Sequence, residues 1–251
     1  MTIAASLLAA CIGAVVGSFV ALVADRWPRG EDIVVAPSHC RDCGRRLGAR
    51  QLVPIVSWCL QGGRCSWCRA RLPVDLLLAE AGGAAIGLMV MAQSPQWPGA
   101  LALAGLGASL LLLVLLDVRH LWLPDAMTLP LIVAGLSCGQ GALDLVSGPP
   151  LADRVAGVVA GYLALEALRR GYRMVRHRDG MGGGDPKLLA AIGSWLGYAA
   201  LPGVVLLAAL AGLGWAAIEA LRGRQAGGDT PIPLGAGLAV AALLWLVFVQ
   251  L

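Results

Sequence analysis

Leu110-Leu111-Leu112-Leu113-Val114-Leu115-Leu116-Asp117 is the stretch from which the chain can be read: seven aliphatic residues run without interruption into a carboxylate. So uniform a run belongs to the last turns of a membrane helix, which extends back to about residue 99. An anion is unfavourable at that place. The C-terminal end of a helix carries partial negative charge, and lipid or packed protein raises the cost of ionising the side chain. No cap or turn requires Asp117, and acids inside membrane segments mark functional sites by default. Asp125, which follows Leu123-Pro124 and opens the next apolar run, reads as an ordinary N-cap.

The rest of the chain repeats the pattern. Of its 251 residues 58% are hydrophobic and 14% charged, and the mean hydropathy is +0.77, whereas about a quarter of a soluble domain is charged. Eight apolar runs are present, at residues 2–24, 76–93, 99–116, 126–146, 155–168, 188–199, 201–221 and 234–251. The expected fold is an all-α polytopic membrane protein of about eight transmembrane helices. Pro202 divides the sixth run from the seventh, and the runs near Val155 and Leu188 are short for a full crossing. The net charge of +4 comes from eighteen Arg and one Lys. These arginines gather after alternate runs: Arg26 and Arg29 after the first, Arg119 after the third, Arg169, Arg170, Arg173, Arg176 and Arg178 after the fifth, Arg222 and Arg224 after the seventh. The loop between the second and third runs has none, and that between the fourth and fifth has only Arg154. This bias places both termini outside and the arginine-bearing loops in the cytoplasm. Nucleic acid is not an expected partner, because no aromatic stacking motif accompanies the basic residues.

Between the first two runs the composition turns polar. Residues 26–73 hold nine of the arginines, together with Cys40-Arg-Asp-Cys43 and Cys65-Ser-Trp-Cys68, 21 residues apart. Two such knuckles aim four thiolates at one metal, as in a zinc ribbon. A pair of disulfides is the competing reading, but a cytoplasmic loop lies in a reducing compartment. Four Cys ligands would leave zinc no open position, so the metal would hold together a module too small to hold itself. His39 is a further possible ligand. Cys59, Cys11 and Cys138 fall outside the pattern and read as small apolar fillers. The expected organisation is a first transmembrane helix at 1–25, a cytoplasmic tetracysteine module at 26–73 and a membrane-embedded part at 74–251.

The second acid that matters is Asp185, at the end of Gly180-Met-Gly-Gly-Gly184-Asp185-Pro-Lys187. Gly182, Gly183 and Gly184 remove side-chain bulk and allow another polypeptide to approach the carboxylate closely. Asp before Pro is also what a helix start looks like. The charge pattern puts Asp117 and Asp185 at the same, cytoplasmic face. If they meet, one can hold a proton while the other stays anionic, which supplies an acid and a base to one water molecule. No His is placed to activate Ser18, Cys11 or Cys138 as a nucleophile, and a metal held by the two Asp lacks a His partner. Glu80 and Glu166 are further acids within apolar runs.

On these residues the chain resembles the bacterial type IV prepilin peptidases, GxGD-type aspartic proteases of the membrane. The likeness rests on Leu115-Leu-Asp117, Leu123-Pro-Asp125-Ala-Met-Thr-Leu-Pro130 and Gly182-Gly-Gly-Asp185 with Lys187-Leu-Leu-Ala-Ala-Ile-Gly-Ser-Trp195-Leu-Gly197. It extends to Gly17-Ser-Phe19, Arg26-Trp-Pro28, Ser38-His-Cys40, Pro54-Ile-Val-Ser-Trp58, Gly63-Arg-Cys65 and Glu80. The resemblance implies that Asp117 and Asp185 are the catalytic pair of an endopeptidase in the bacterial inner membrane. It implies as substrate the leader of type IV prepilins or type II secretion pseudopilins, cut after a glycine at the cytoplasmic face. Tetracysteine members also methylate the new N-terminal amine with S-adenosylmethionine, and the module implies the same here. Two rivals from other classes are a proton-coupled transporter using the paired acids and a non-catalytic assembly factor in which Asp185 only caps a helix.

Overall fold

The computed structural model describes residues 2–93, 96–139, 143, 145–177, 180–221 and 233–248. Arg178, Arg222 and Arg224, read above as topology charges, lie outside the described residues. Within these limits the chain is all-helical, with no strand and only two isolated bridges. The helices are α1 (Ile3–Arg26), α2 (Val56–Leu60), α3 (Val74–Gln93), α4 (Trp97–His120), α5 (Asp125–Cys138), α6 (Leu151–Arg176), α7 (Asp185–Leu196), α8 (Leu201–Leu221) and α9 (Leu234–Phe248). Each of the eight apolar runs thus forms a helix. Among the described residues four helical stretches are long and apolar enough to cross a membrane, at Ile3–Arg29, Val74–Gln93, Trp97–His120 and Tyr198–Ile218. At 1.5 Å per residue α7 reaches only about 18 Å, short of a hydrocarbon core of about 30 Å, so the expectation of eight crossings is not established. Between α7 and α8 the chain turns through Gly197, at φ 75°, and a short 3-10 segment before Pro202 enters the first turn of α8.

The chain forms two compact units, Met1–Pro95 and Gln96–Leu251. In the first, α1 and α3 pack along a seam of small residues. A side-chain carbon at Gly13 would collide with the Gly83 carbonyl, one at Gly17 with that of Ala79, and one at Gly87 with that of Ala9. Backbones that close need glycine, and dispersion across the seam is what holds two helices together in lipid. Gly83→Val is therefore expected to cost about 3 kcal/mol, since the obstruction is backbone and cannot swing aside. At Gly105 on α4 an added carbon meets nothing within 4 Å, so Gly105→Ala should be neutral or stabilising by about 0.5 kcal/mol. Thermal unfolding of the detergent-solubilised variants measures both.

The second unit is built round α7. Of its residues Asp185, Pro186 and Leu188 to Leu196 are buried, a helix apolar on all sides because neighbours cover all sides. Gly157 and Gly161 of α6 let α7 approach, the latter with the Leu189 carbonyl 2.8 Å from where its side chain would begin. On the α5 side Trp195 Nε1 donates to the Leu131 carbonyl at 2.9 Å. α9 packs against α7, α4 and α8. Arg154, read from sequence as a loop charge, is fully buried at the start of α6. Its guanidinium donates to the carbonyls of Pro149 and Gly135 at 2.9 and 2.8 Å and so ties the N-terminal turn of α6 to α5.

Candidate active site

Asp117 lies in the last turn of α4 and Asp185 at the first position of α7, each only 5% exposed. They converge on Gly235 at the start of α9. A side-chain carbon at Gly235 would stand 3.0 Å from Asp117 Oδ2 and 3.1 Å from Asp185 Oδ1. Both carboxylates thus lie against the same glycine. Ala236 donates its N–H to Asp117 Oδ2 at 2.7 Å, which supplies a buried oxygen with a partner.

The glycine loop packs as its composition predicts. Gly184 is the N-cap of α7, with no side-chain hydrogen bond to the helix, so Asp185 does not serve as the cap. A carbon added at Gly184 would lie 2.6 Å from Leu123 Cβ, and one at Gly182 would lie 3.3 Å from Asp185 Oδ2. Bulk at either position would press on the acid or on its neighbour. Asp125 is not an N-cap either: Pro124 holds that place, and the Asp125 carboxylate receives Lys187 Nζ at 2.7 and 2.6 Å. Glu166, the intramembrane acid on α6, is buried and answered by Arg169 and Arg170 one turn on, at 2.9 and 2.7 Å.

The tetracysteine module forms the second candidate centre. Cys40, Cys43, Cys65 and Cys68 place their sulfurs within 4.8 Å of one another, and no cysteine of the chain is in a disulfide. Both knuckles close alike: Gly44 N–H donates to the Cys40 carbonyl and Arg69 N–H to that of Cys65, at 2.9 and 3.1 Å. Gly44 and Arg69 both take positive φ, 69° and 60°. Four sulfurs about 2.3 Å from a tetrahedral metal stand about 3.8 Å apart, the spacing found between Cys40 and Cys68. The N–H groups of Cys68 and Trp67 draw the Cys65 thiol down to about 7. At Cys68 the Ala70 N–H works the same way, but burial and the neighbouring sulfurs outweigh it and raise that thiol to about 12. Thiolates crowded together need a cation, and the donor set fits one. Cys40→Ser should lower bound metal from one equivalent to near none, measured by elemental analysis, and should open residues 30–72 to limited proteolysis.

Two buried groups fix the module to its helices. Arg26 at the end of α1 is 4% exposed and donates to the carbonyls of Asp32, Ala36 and Pro37 at 2.7, 2.8 and 3.0 Å. Glu80 of α3 accepts from Ser18 Oγ at 2.8 Å and from Ile55 N–H at 2.7 Å. Ile55 itself is held at φ 63° and ψ −53°, a γ-turn conformation that a β-branched residue adopts only when its surroundings impose it.

Comparison with known proteins bears on both centres. The bacterial Peptidase A24 N-terminal domain matches over residues 11–94, and the type IV leader peptidase family matches over residues 104–217. The chain is 38% identical over 228 residues to the prepilin leader peptidase/N-methyltransferase of Aeromonas salmonicida strain A449, covering 87% of this chain and 76% of that one. The chain belongs to the type IV leader peptidase family. It is also 37% identical over 224 residues to the protein so named from Burkholderia pseudomallei strain 1026b, covering 89% and 71%, and 34% identical over 263 residues to that of Pseudomonas putida, covering 95% and 90%. No solved structure matches the chain. In this member of the family the N-terminal match contains the whole tetracysteine module, and the second match contains both aspartates. α9 lies beyond that match, and with it Gly235 and Ala236, which frame the pair. Sequence reasoning missed these two because their contribution is a backbone N–H and an absent side chain.

Proposed function

We propose that this chain is a membrane aspartic endopeptidase that removes the leader of type IV prepilins, or of type II secretion pseudopilins, after a glycine at the cytoplasmic face. The observation that carries the reading is the pair of buried carboxylates lying against Gly235, in a chain similar to proteins named for that activity. Asp117, whose oxygen accepts the Ala236 N–H, takes the anionic role, and Asp185 holds the proton. Asp117 removes a proton from water, the water oxygen bonds to the scissile carbonyl carbon, and Asp185 protonates the carbonyl oxygen. Collapse of that adduct breaks the C–N bond, and the departing amine receives a proton from the pair. No covalent intermediate is needed, and Gly182, Gly183 and Gly184 leave room for the substrate backbone to reach the acids.

The tetracysteine module at 26–73 serves a second activity in this reading, N-methylation of the new terminus, for which S-adenosylmethionine would supply the methyl group. Zinc on Cys40, Cys43, Cys65 and Cys68 would be structural, since four thiolates leave it no open position. The termini lie outside, and the aspartates and the module face the cytoplasm, as the arginine distribution indicates. A proton-coupled transporter has less to recommend it, because a glycine loop beside the acids suits a peptide chain better than an ion. The test is co-expression with a prepilin carrying a Gly-Phe junction, followed by mass spectrometry. Loss of the leader and a gain of one methyl group are expected; an intact leader overturns the proposal.

A further inference from the structure

Asp117 and Asp185 stand on different helices, and α4 and α7 are positioned relative to each other largely through α5 and α9, which pack on both. Something must set the spacing of the carboxylates, and α9 supplies only one side. On the other side runs the short link between α4 and α5, residues 121–124, with Asp125 at the head of α5. It is anchored three times, each time to one of the two aspartates or to a residue within two positions of it. Leu121 takes a left-handed conformation, φ 50° and ψ 40°, and donates its N–H to the Asp117 carbonyl at 2.9 Å. Leu123 wedges between the two glycines of the site: its Cβ lies 2.6 Å from where a Gly184 side chain would begin, and its Cδ1 lies 2.6 Å from the same point at Gly235. Asp125 then receives both contacts from Lys187, the single lysine of the chain and two residues past Asp185.

We propose that residues 121–125 act as a strap that fixes the distance between the two aspartates, with Asp125 and Lys187 as the positioning residues that fasten it. The inference rests on the peptidase reading above. Their ion pair joins them to each other and not to either carboxylate of the site. Each acts through a neighbour, Lys187 through the first turn of α7 and Asp125 through Leu123. Magnitudes separate this role from a merely structural one. The pair is partly exposed, with side chains 33% and 55% accessible, and such ion pairs contribute little to folding. Misplacing a reacting group by about 1 Å, in contrast, costs on the order of a hundredfold in rate. Breaking the pair should therefore leave the fold intact and the rate impaired.

The experiment uses the purified full chain in detergent with a purified prepilin, and compares Asp125→Asn, Lys187→Met and the exchanged double variant Asp125→Lys/Lys187→Asp. Each single variant should lose about ten- to a hundredfold in kcat, with KM changed less than about threefold and thermal unfolding within about 2 °C of the wild type. The exchanged pair should regain at least a third of the wild-type kcat. A Lys187→Met or Asp125→Asn protein that cleaves at the wild-type rate overturns the strap, as does an exchanged pair no better than the singles. Asp117→Asn, run alongside, keeps the two inferences apart. If it still cleaves, the two-carboxylate mechanism on which the strap rests fails; if it is inactive while the single variants are normal, the strap alone fails.

Discussion

Asp117→Asn and Asp185→Asn are each expected to slow leader removal by about a thousandfold or more, in protein that folds and inserts as the wild type does. The amide matches the carboxylate in size, so cleavage chemistry is the only thing it removes. At position 117 its oxygen can still accept the Ala236 N–H that now meets Asp117 Oδ2 at 2.7 Å. At position 185 the start of α7 is unaffected, because the N-cap is Gly184 and no side chain caps the helix. That detail also answers the assembly-factor reading, in which Asp185 does nothing but cap. The measurement is the rate of leader loss by mass spectrometry with thermal unfolding in parallel. Either Asn variant cleaving within tenfold of wild type would remove the two-carboxylate mechanism, whatever else the protein does.

How much of this was visible in the sequence depends on whether a residue's contribution lies in its side chain. Asp117 could be singled out because a carboxylate at the end of an aliphatic helix has no structural excuse, and the four cysteines because their spacing has few other meanings. Arg26 and Arg154 were visible, but their burial was not. Both look like loop cations, and both are buried among backbone carbonyls, an arrangement that depends on where the chain returns and not on local pattern. Asp125 reads as a helix start from its neighbours, and its ion pair with Lys187, 62 residues on, follows only from the packing of α5 against α7. The number of crossings was the least legible. Apolar composition marks helices that are buried in protein as readily as helices in lipid, and α7, short and covered on all sides, is the case where the two differ. Gly235 gave no signal of any kind.

Gly235 is nonetheless where the next largest loss is expected. Gly235→Ala would put a methyl carbon 3.0 Å from Asp117 Oδ2, 3.1 Å from Asp185 Oδ1 and 2.6 Å from Leu123 Cδ1. The leucine carbon is the far end of a flexible side chain and can swing away; Asp117 Oδ2 is held by the Ala236 N–H and Asp185 is buried, so the two carboxylates have little room to yield. The methyl therefore presses on both carboxylates and displaces them from each other's line, and the expected result is a loss of about a hundredfold or more in kcat. Folding should suffer far less. α9 carries the substitution in its first turn, where alanine is a better helix former than glycine by about 0.5–1 kcal/mol, and this offsets part of the crowding. Activity and stability are thus predicted to move apart, which is the signature of an obstructed site as against a damaged core. A Gly235→Ala protein that cleaves at the wild-type rate would show that the two carboxylates do not depend on the clearance Gly235 leaves beside them.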